Sequence, residues 1–416
     1  MNFFHVLKKL FPKIVLKKIK KLYYYHIALF DIFRIIFSIK NIKNKIFFIR
    51  TEGGFGPTIT SGHYLNLNYK TDWFLLFGTK NERHNKKISL IFSNRIKFFR
   101  CGDLNKPENC EKFEELVSKL LIFFFKVNLI LFKKHILNLN LEIYKNKFLN
   151  TNLLENNKEY FFEQGFFLKE KLKNLYLNNP YKIDFLKKFE TFGSNLDFKG
   201  RINFHLRGKG KMYSNSRFID QIRDMRNIND YKLTIECLVD QNWQIFLTGE
   251  LFQIPSWLKK MNTSVIYFQK TNLSLDDYNL YVLSNSHICI GGSSGPPFFS
   301  YITGCKNLLL ETCHLGIAHR DTVVSYPKIN FKNLSELKEI LLRCPLDNKY
   351  LENIFKRGLI KRLSCEELQG IANEFISNYK NNKFWKTSQN LGIKDGNLYF
   401  LESKISNFWL KLHNIY

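Results

Sequence analysis

Two spacings of apolar residues alternate along this chain. Phe3, Phe4, Leu7, Leu10, Phe11 and Ile14 recur at helical spacing, and Lys8, Lys9, Lys13, Lys17 and Lys20 take much of the remaining surface. That pattern predicts a basic amphipathic helix, kinked or broken near Pro12. The apolar run from Ile27 to Phe37 contains Asp31 and Arg34 and is too short to span a bilayer. Lys45 to Arg50 predicts a buried strand. Trp73 to Phe77 and Ile88 to Phe92, separated by the charged turn Lys80 to Lys87, predict strands or short helices of one α/β domain. Leu116 to Phe132 is nearly all apolar, with Lys119 and Lys126 inside, and predicts a buried or membrane-facing helix rather than a span. Residues 133–195 have helical spacing, interrupted at Asn179-Pro180.

From residue 200 the alternation becomes regular. Ile202, Phe204 and Leu206 predict a strand, and Asn229 or Asp230 can cap a helix whose apolar side is Leu233, Ile235 and Leu238. Trp243 to Leu247 predicts the next strand, which makes a βαβ unit. Pro255 to Met261 and Leu275 to Leu283 predict helices; Ser264 to Phe268, His287 to Ile290 and Lys306 to Leu310 predict strands. Phe298 to Thr303 predicts a helix starting near Ser293-Ser294-Gly295, with Pro296 and Pro297 acceptable in its first turn. Ile329 to Leu342 predicts a last strand and helix, and Cys365 to Tyr379 a helix opened by the capping box Ser364-x-x-Glu367. Such alternation indicates α/β domains built on doubly wound parallel sheets. The expected organisation is a basic N-terminal segment over 1–44, one α/β domain over 45–198, a second over 199–345, and C-terminal helices over 346–416.

Composition changes this picture in three ways. With 416 residues, 45% of them hydrophobic, the chain can bury sizeable cores. The formal net charge of +28 calls for an anionic partner, a membrane surface or a compositional bias, and the abundance of Lys, Asn, Ile and Phe with only 9 Pro points to bias for part of it. Clusters therefore mean more than the total. Residues 1–50 hold twelve Lys or Arg and one acid, Asp31, without the unbroken apolar core and small-residue cleavage site of a secretory signal. An anchor on an anionic leaflet and a helix packed on the protein's own surface both fit this segment. The 8 cysteines form no CxxC pair, which suits free thiols in a reducing cytosol. Cys313-His314 with His319 is too loosely spaced for a metal site, and no metal is predicted.

Three stretches carry candidate chemistry. The predicted strand Ile202 to Leu206 leads into a loop with His205, Arg207, Lys209 and Lys211 around Gly208 and Gly210. Forked and mobile cations beside flexible backbone suit a polyanion, although a solvated turn has the same composition. The step at Ser293, Ser294 and Gly295 would present unpaired N–H groups and a positive dipole to an anion, or simply make a tight turn. The strand ending at Arg50 runs into Glu52, Gly53, Gly54 and then Gly62-His63. An imidazole there has the pKa of a general base for a hydroxyl, or it satisfies a loop carbonyl; Glu52 and Asp72 are rival bases. Glu311, at the end of the strand from Lys306, could accept from ribose hydroxyls.

His205-Leu206-Arg207, the step Arg226-Asn227-Ile228-Asn229-Asp230-Tyr231 into a helix, and Trp243 to Phe246 before the pair Gly249-Glu250 resemble a family of bacterial glycosyltransferases. The strand end is also similar to that of GT-B fucosyltransferases, and Gly62-His63 looks like the family's Gly-His pair near the first strand. Gly208 stands where an acid is expected and Leu247-Thr248 where a second arginine is expected.

The resemblance implies a GT-B-like architecture of two Rossmann-like domains facing across a cleft, with a final helix crossing back to the first domain. It implies transfer of a sugar from a nucleotide-sugar donor to a hydroxyl of a surface polysaccharide or lipid-linked glycan. His63 or Glu52 would act as base, with Gly53, Gly54 and Gly62 on the acceptor side. His205, Arg207, Lys209, Gly249, Glu250, Ser293, Ser294, Gly295 and Glu311 would hold the donor. No cofactor is implied, and the diphosphate would be neutralised by Arg207 and a helix end rather than a divalent ion. Asp276-Asp277 reads as a helix start, not a metal-binding DxD. The expected place is the cytoplasm or the inner face of its membrane. A nucleic-acid-binding protein is the rival from another class, but the cations are spread and the Phe residues sit in apolar runs. A pyruvyl or phosphate transferase on the same fold is the other.

Overall fold

The computed structural model describes residues 12–39, 46–50, 72–78, 96–101, 198–207, 226–249, 254–261, 263–271, 273–292, 295–312, 322–343, 348–387 and 404–415, with single helical positions at 116, 119, 120 and 123. The chain divides into two compact units, Met1–Leu149 and Asn150–Tyr416.

In the first unit, helix α1 spans Lys13–Ile39 and starts directly after Pro12, where a missing N–H is tolerated. The apolar run from Ile27 is therefore part of one long helix. Its buried seam is Ala28, Asp31 and Ile32, and Arg34 Nη1 donates to Asp31 Oδ1 at 3.0 Å. Strands β1 (Ile46–Arg50), β2 (Asp72–Gly78) and β3 (Ile96–Cys101) form a parallel sheet in chain order. The expected strand at 45–50 is present, and the stretch 73–77, expected as a strand or a short helix, is a strand; β3 begins after the apolar run Ile88 to Phe92, which lies outside the described residues.

The second unit is built on β4 (Gly200–Leu206), α2 (Lys232–Asp240), β5 (Trp243–Gly249), α3 (Ser256–Lys259), β6 (Val265–Tyr267), α4 (Leu275–Asn285), β7 (Ile288–Gly291), α5 (Gly295–Ile302) and β8 (Lys306–Leu309). Then come β9 (Thr322–Val324), β10 (Lys328–Ile329), α6 (Leu334–Arg343), α7 (Asn348–Lys356), β11 (Ile360–Lys361), α8 (Cys365–Asn378), β12 (Lys386–Thr387), β13 (Lys404–Ile405) and α9 (Asn407–Leu412). The main sheet has the order β12-β13-β9-β8-β7-β4-β5-β6, parallel throughout except for β12 at the edge. Such burial on both faces requires apolar strands, and β5 and β7 are buried along almost their whole length.

Alternation in β4 sorts its side chains onto the two faces. Ile202, Phe204 and Leu206 join the large core with Ile235, Leu238, Ile245, Leu247 and Ile290, and Phe204 meets the Tyr231 ring edge-on at 5.0 Å. Asn203 and His205 face the other way. The entry to α2 differs from the expected one. Asn227, not Asn229 or Asp230, is the cap: its side chain accepts from Asn229 N–H, Asp230 reaches back to Asn227 N–H, and a 3-10 turn, Ile228–Tyr231, precedes the helix. A four-residue 3-10 turn before the α-helix moves the cap earlier than apolar spacing alone shows. The capping box at Ser364 and Glu367 forms as expected.

The C-terminal region departs most from expectation. Residues after 346 contribute not only helices but strands β11, β12 and β13, and β13 extends the main sheet beside β9. Helix α9, capped by Ser406, packs into the second unit's own core: Trp409 is fully buried, its Nε1 donates to the Pro327 carbonyl at 3.2 Å, and its ring stands edge-on to Tyr326 at 5.1 Å. Two-residue strands give no alternation to read, so pairing partners decide them.

Candidate functional site

The strand order contains a change of direction. From β4 the chain proceeds outward to β5 and β6, then returns to place β7 on the other side of β4. The carboxyl ends of β4 and β7 are therefore neighbours where the order reverses, and an open sheet forms its crevice at such a point. Arg207 follows β4 immediately. The Gly291-Gly292 end of β7 leads to α5, whose first residue is Gly295.

These two ends are neighbours. His205 pairs with Gly291 across β4 and β7, and with Thr248 across β4 and β5. Adjacent strands lie about 4.8 Å apart, so the ends of β4 and β7, which lead to Arg207 and towards α5, lie side by side. Glycine on both flanks allows this approach. A Cβ on Gly291 would come within 2.6 Å of the His205 carbonyl oxygen, and one on Gly249 within 1.8 Å of the Leu206 carbonyl oxygen. Gly249 also has φ +98°, a left-handed conformation that disfavours any side chain. At Gly292 nothing lies within 4 Å of a would-be Cβ, so the backbone there borders open space.

His205 is not part of the cationic loop. It is a strand residue, buried, whose Nδ1 lies 3.0 Å from Thr248 Oγ1, while the Thr248 hydroxyl donates to Asn203 Oδ1 at 2.7 Å and Asn203 Nδ2 donates to Cys289 Sγ at 3.4 Å. The hydroxyl has one hydrogen and spends it on Asn203, so His205 must carry its proton on Nδ1 to complete the chain. Burial, reinforced by the charge of Arg207, holds its pKa down to about 3, and it is neutral at pH 7. The chain of four side chains stitches three strands together just before Arg207.

The neutral state has a consequence for stability. An unfolded histidine takes up a proton near pH 6.5, but the folded His205 does not, so stability is intact above about 6.5 and falls as pH drops towards 3. Urea midpoints measured at steps below pH 6.5 are expected to fall less steeply in His205→Gln than in wild type; equal slopes would show that His205 is not the group responsible.

A second cluster sits on the same edge of the sheet. Glu311, two residues beyond β8, has φ +48° and a side chain only 2% exposed. Its Oε2 accepts from Arg226 Nε and from Arg362 Nη1 at 3.0 Å; its Oε1 accepts from Arg226 Nη2 at 2.7 Å and from the Leu363 N–H at 2.7 Å. Arg226 Nη2 also donates to the Leu363 carbonyl at 2.6 Å. Four donors fill the acceptor positions of one carboxylate. A ribose hydroxyl, expected at Glu311 from sequence, would have to displace one of them. The cluster instead joins the end of β8, the entry to α2 and the start of α8.

Helix α5 is held by side-chain bonds to its neighbours. Asn307 Nδ2 on β8 donates to the Pro297 carbonyl at 2.7 Å, and Ser300 Oγ donates to the Leu283 carbonyl on α4 at 2.8 Å.

Of the expected site residues, the structure brings His205, Arg207, Gly249, Gly295 and Glu311 to the carboxyl edge of one sheet. Lys209, Glu250, Ser293 and Ser294, and on the acceptor side Glu52, Gly53, Gly54, Gly62 and His63, lie outside the described residues. Gly291, Thr248, Asn203 and Arg362 join the site without having been among the residues expected in it. The first was visible as a glycine closing a strand; the others take their meaning only from strand pairing and long-range contact. Among the described residues no group of three or more His, Cys, Asp or Glu side chains could hold a metal ion.

No family model matches the chain, and no curated protein matches it. Among solved structures it is similar to the glycosyl transferase family 9 from Veillonella parvula DSM 2008, at 10% identity over 64% of this chain and 80% of that one, with a TM-score of 0.36. It is similar to the E. coli heptosyltransferase WaaC with ADP at 11% identity, over 75% of this chain and 97% of that one, with a TM-score of 0.33. Anabaena HepE in complex with UDP is similar at 12% identity, over 84% of this chain and 99% of that one, with a TM-score of 0.27. Likeness of this size carries no argument about function, which rests on the residues themselves.

Proposed function

We propose that the chain is a glycosyltransferase whose second unit holds a nucleotide-sugar donor at the crevice between the ends of β4 and β7. The observation that carries this reading is the coincidence, at the reversal of strand order between β4 and β7, of Arg207, two glycine-closed strand ends and the start of α5. Arg207 supplies a forked pair of donors to diphosphate oxygens, and α5 supplies backbone N–H groups and a positive dipole. Lys209, Ser293 and Ser294 complete the anion site in this reading. Gly249 keeps the neighbouring strand end close, with Glu250 after it, and neutral His205 braces the strand end just before Arg207. Glu311, already held by two arginines, positions the surrounding loops.

The acceptor is a hydroxyl of a surface polysaccharide or lipid-linked glycan, deprotonated by His63, with Glu52 as the next base. Charge gathers on the leaving diphosphate as the sugar–phosphate bond breaks, so fixed donors there act on the transition state without a divalent ion. Incubating the protein with a panel of nucleotide-sugars and glycan acceptors is expected to release nucleoside diphosphate with at least one donor. Release of inorganic phosphate alone, or of nothing from the panel, would contradict glycosyl transfer.

A further inference from the structure

We propose that the outward face of α1 docks on an anionic lipid bilayer, lying along the surface rather than crossing it. Opposite the seam of Ala28, Asp31 and Ile32, the helix carries Val15, Leu22, Leu29, Phe30, Phe33 and Phe37, which at 3.6 residues per turn fall within about 100° of its circumference. All are exposed; Leu22 and Phe37 reach 69% and Phe30 62%. The stripe runs from Val15 to Phe37, roughly 33 Å at the α-helical rise. Scattered exposed apolar residues need no explanation, but an aromatic and aliphatic stripe of that length, with the exposed His26 in its middle, does.

Charge selects the occupant. Lys18, exposed, lies at one border of the stripe, where a long cationic side chain reaches headgroups while apolar neighbours enter the acyl boundary, and Arg34, exposed but bonded to Asp31, lies at the other. Residues 1–50 hold twelve Lys or Arg against the single acid Asp31, and that acid is buried on the opposite seam and paired with Arg34. A second copy presenting the same cations would be repelled. A nucleic acid would meet the cations but leave Val15, Leu22 and Leu29 without the desolvation that a hydrocarbon boundary gives them. No helix among the described residues is long and apolar enough to cross a membrane, so the helix lies in the interface.

The test uses the full chain and vesicles without nucleotide or sugar, so its outcome is separate from that of the glycosyltransferase reading. Wild type should sediment with phosphatidylglycerol-containing vesicles, much less with phosphatidylcholine alone, and less as salt rises. The triple variant Leu22→Ser/Leu29→Ser/Phe30→Ser should lose roughly a hundredfold or more in partitioning while unfolding at the wild-type temperature, because these side chains are exposed. Lys18→Glu should lose about fivefold or more. Partitioning of the triple variant equal to wild type overturns the proposal. So does a wild type that ignores anionic vesicles, whether the stripe then proves to mediate a dimer or to bind single-stranded DNA.

Discussion

Arg226→Ala is expected to destabilise the second unit by about 3–5 kcal/mol, the typical cost of leaving a buried charge without its partner. Arg226 is 12% exposed and Glu311 2%, and the guanidinium makes two bonds to the carboxylate and a third to the Leu363 carbonyl. Removing it strips the carboxylate of two of its four donors in a place water hardly reaches. Arg362 stays, and its guanidinium limits the loss, but its Nη2 is itself buried with no hydrogen-bond partner and cannot take over the geometry. Arg226→Lys keeps the charge and loses the fork, so it should recover only part. Glu311→Gln should cost a similar amount, since its amide N–H groups would face guanidinium donors. Glu311 also holds a left-handed backbone at φ +48°, which the surrounding bonds must maintain. Urea unfolding at pH 7 measures all three; a loss under about 1 kcal/mol for Arg226→Ala would show that the pair is not a buried strut.

Arg207→Ala is expected to lower kcat/KM for the nucleotide-sugar by about 10²–10³-fold, the scale for removing one fixed donor from developing charge. The side chain follows the last residue of β4, beside a β7 end that leads into α5. Its contact to phosphate oxygen should strengthen as the sugar leaves, so kcat falls together with affinity. Arg207→Lys should regain little, because a point charge does not reproduce two parallel N–H donors. A fall in KM-related affinity with kcat unchanged would move Arg207 from the reacting phosphate to a remote part of the donor.

Much of the second unit was legible because its elements are long enough to show their period. Trp243 to Leu247, His287 to Ile290 and Leu275 to Leu283 all appear where apolar spacing placed them. Local capping chemistry was legible at Ser364 and Glu367, but the cap at Asn227 was not, since a 3-10 turn shifts the reading frame before α2. Strands of two or three residues such as β12, β13 and β9 carry no periodicity and depend on partners distant in the chain. The site divides along the same line. Arg207 stood out as a cation beside glycine after a strand. The neutrality of His205 did not, because it follows from burial and from a hydroxyl on the next strand. Glu311 is visible in the sequence as a polar residue at a strand end. That Arg226, Arg362 and Leu363 already occupy it is a matter of contacts spanning up to 85 residues between Glu311 and Arg226.

A nucleoside diphosphate site at the β4–β7 reversal is tested most directly by isothermal titration. Folded wild type should bind at least one nucleoside diphosphate, and Arg207→Ala, with unchanged unfolding, should bind that nucleotide at least about tenfold more weakly, as loss of a charge-assisted pair predicts. If Arg207→Ala binds every nucleotide with the affinity of wild type, the phosphates do not sit at this turn.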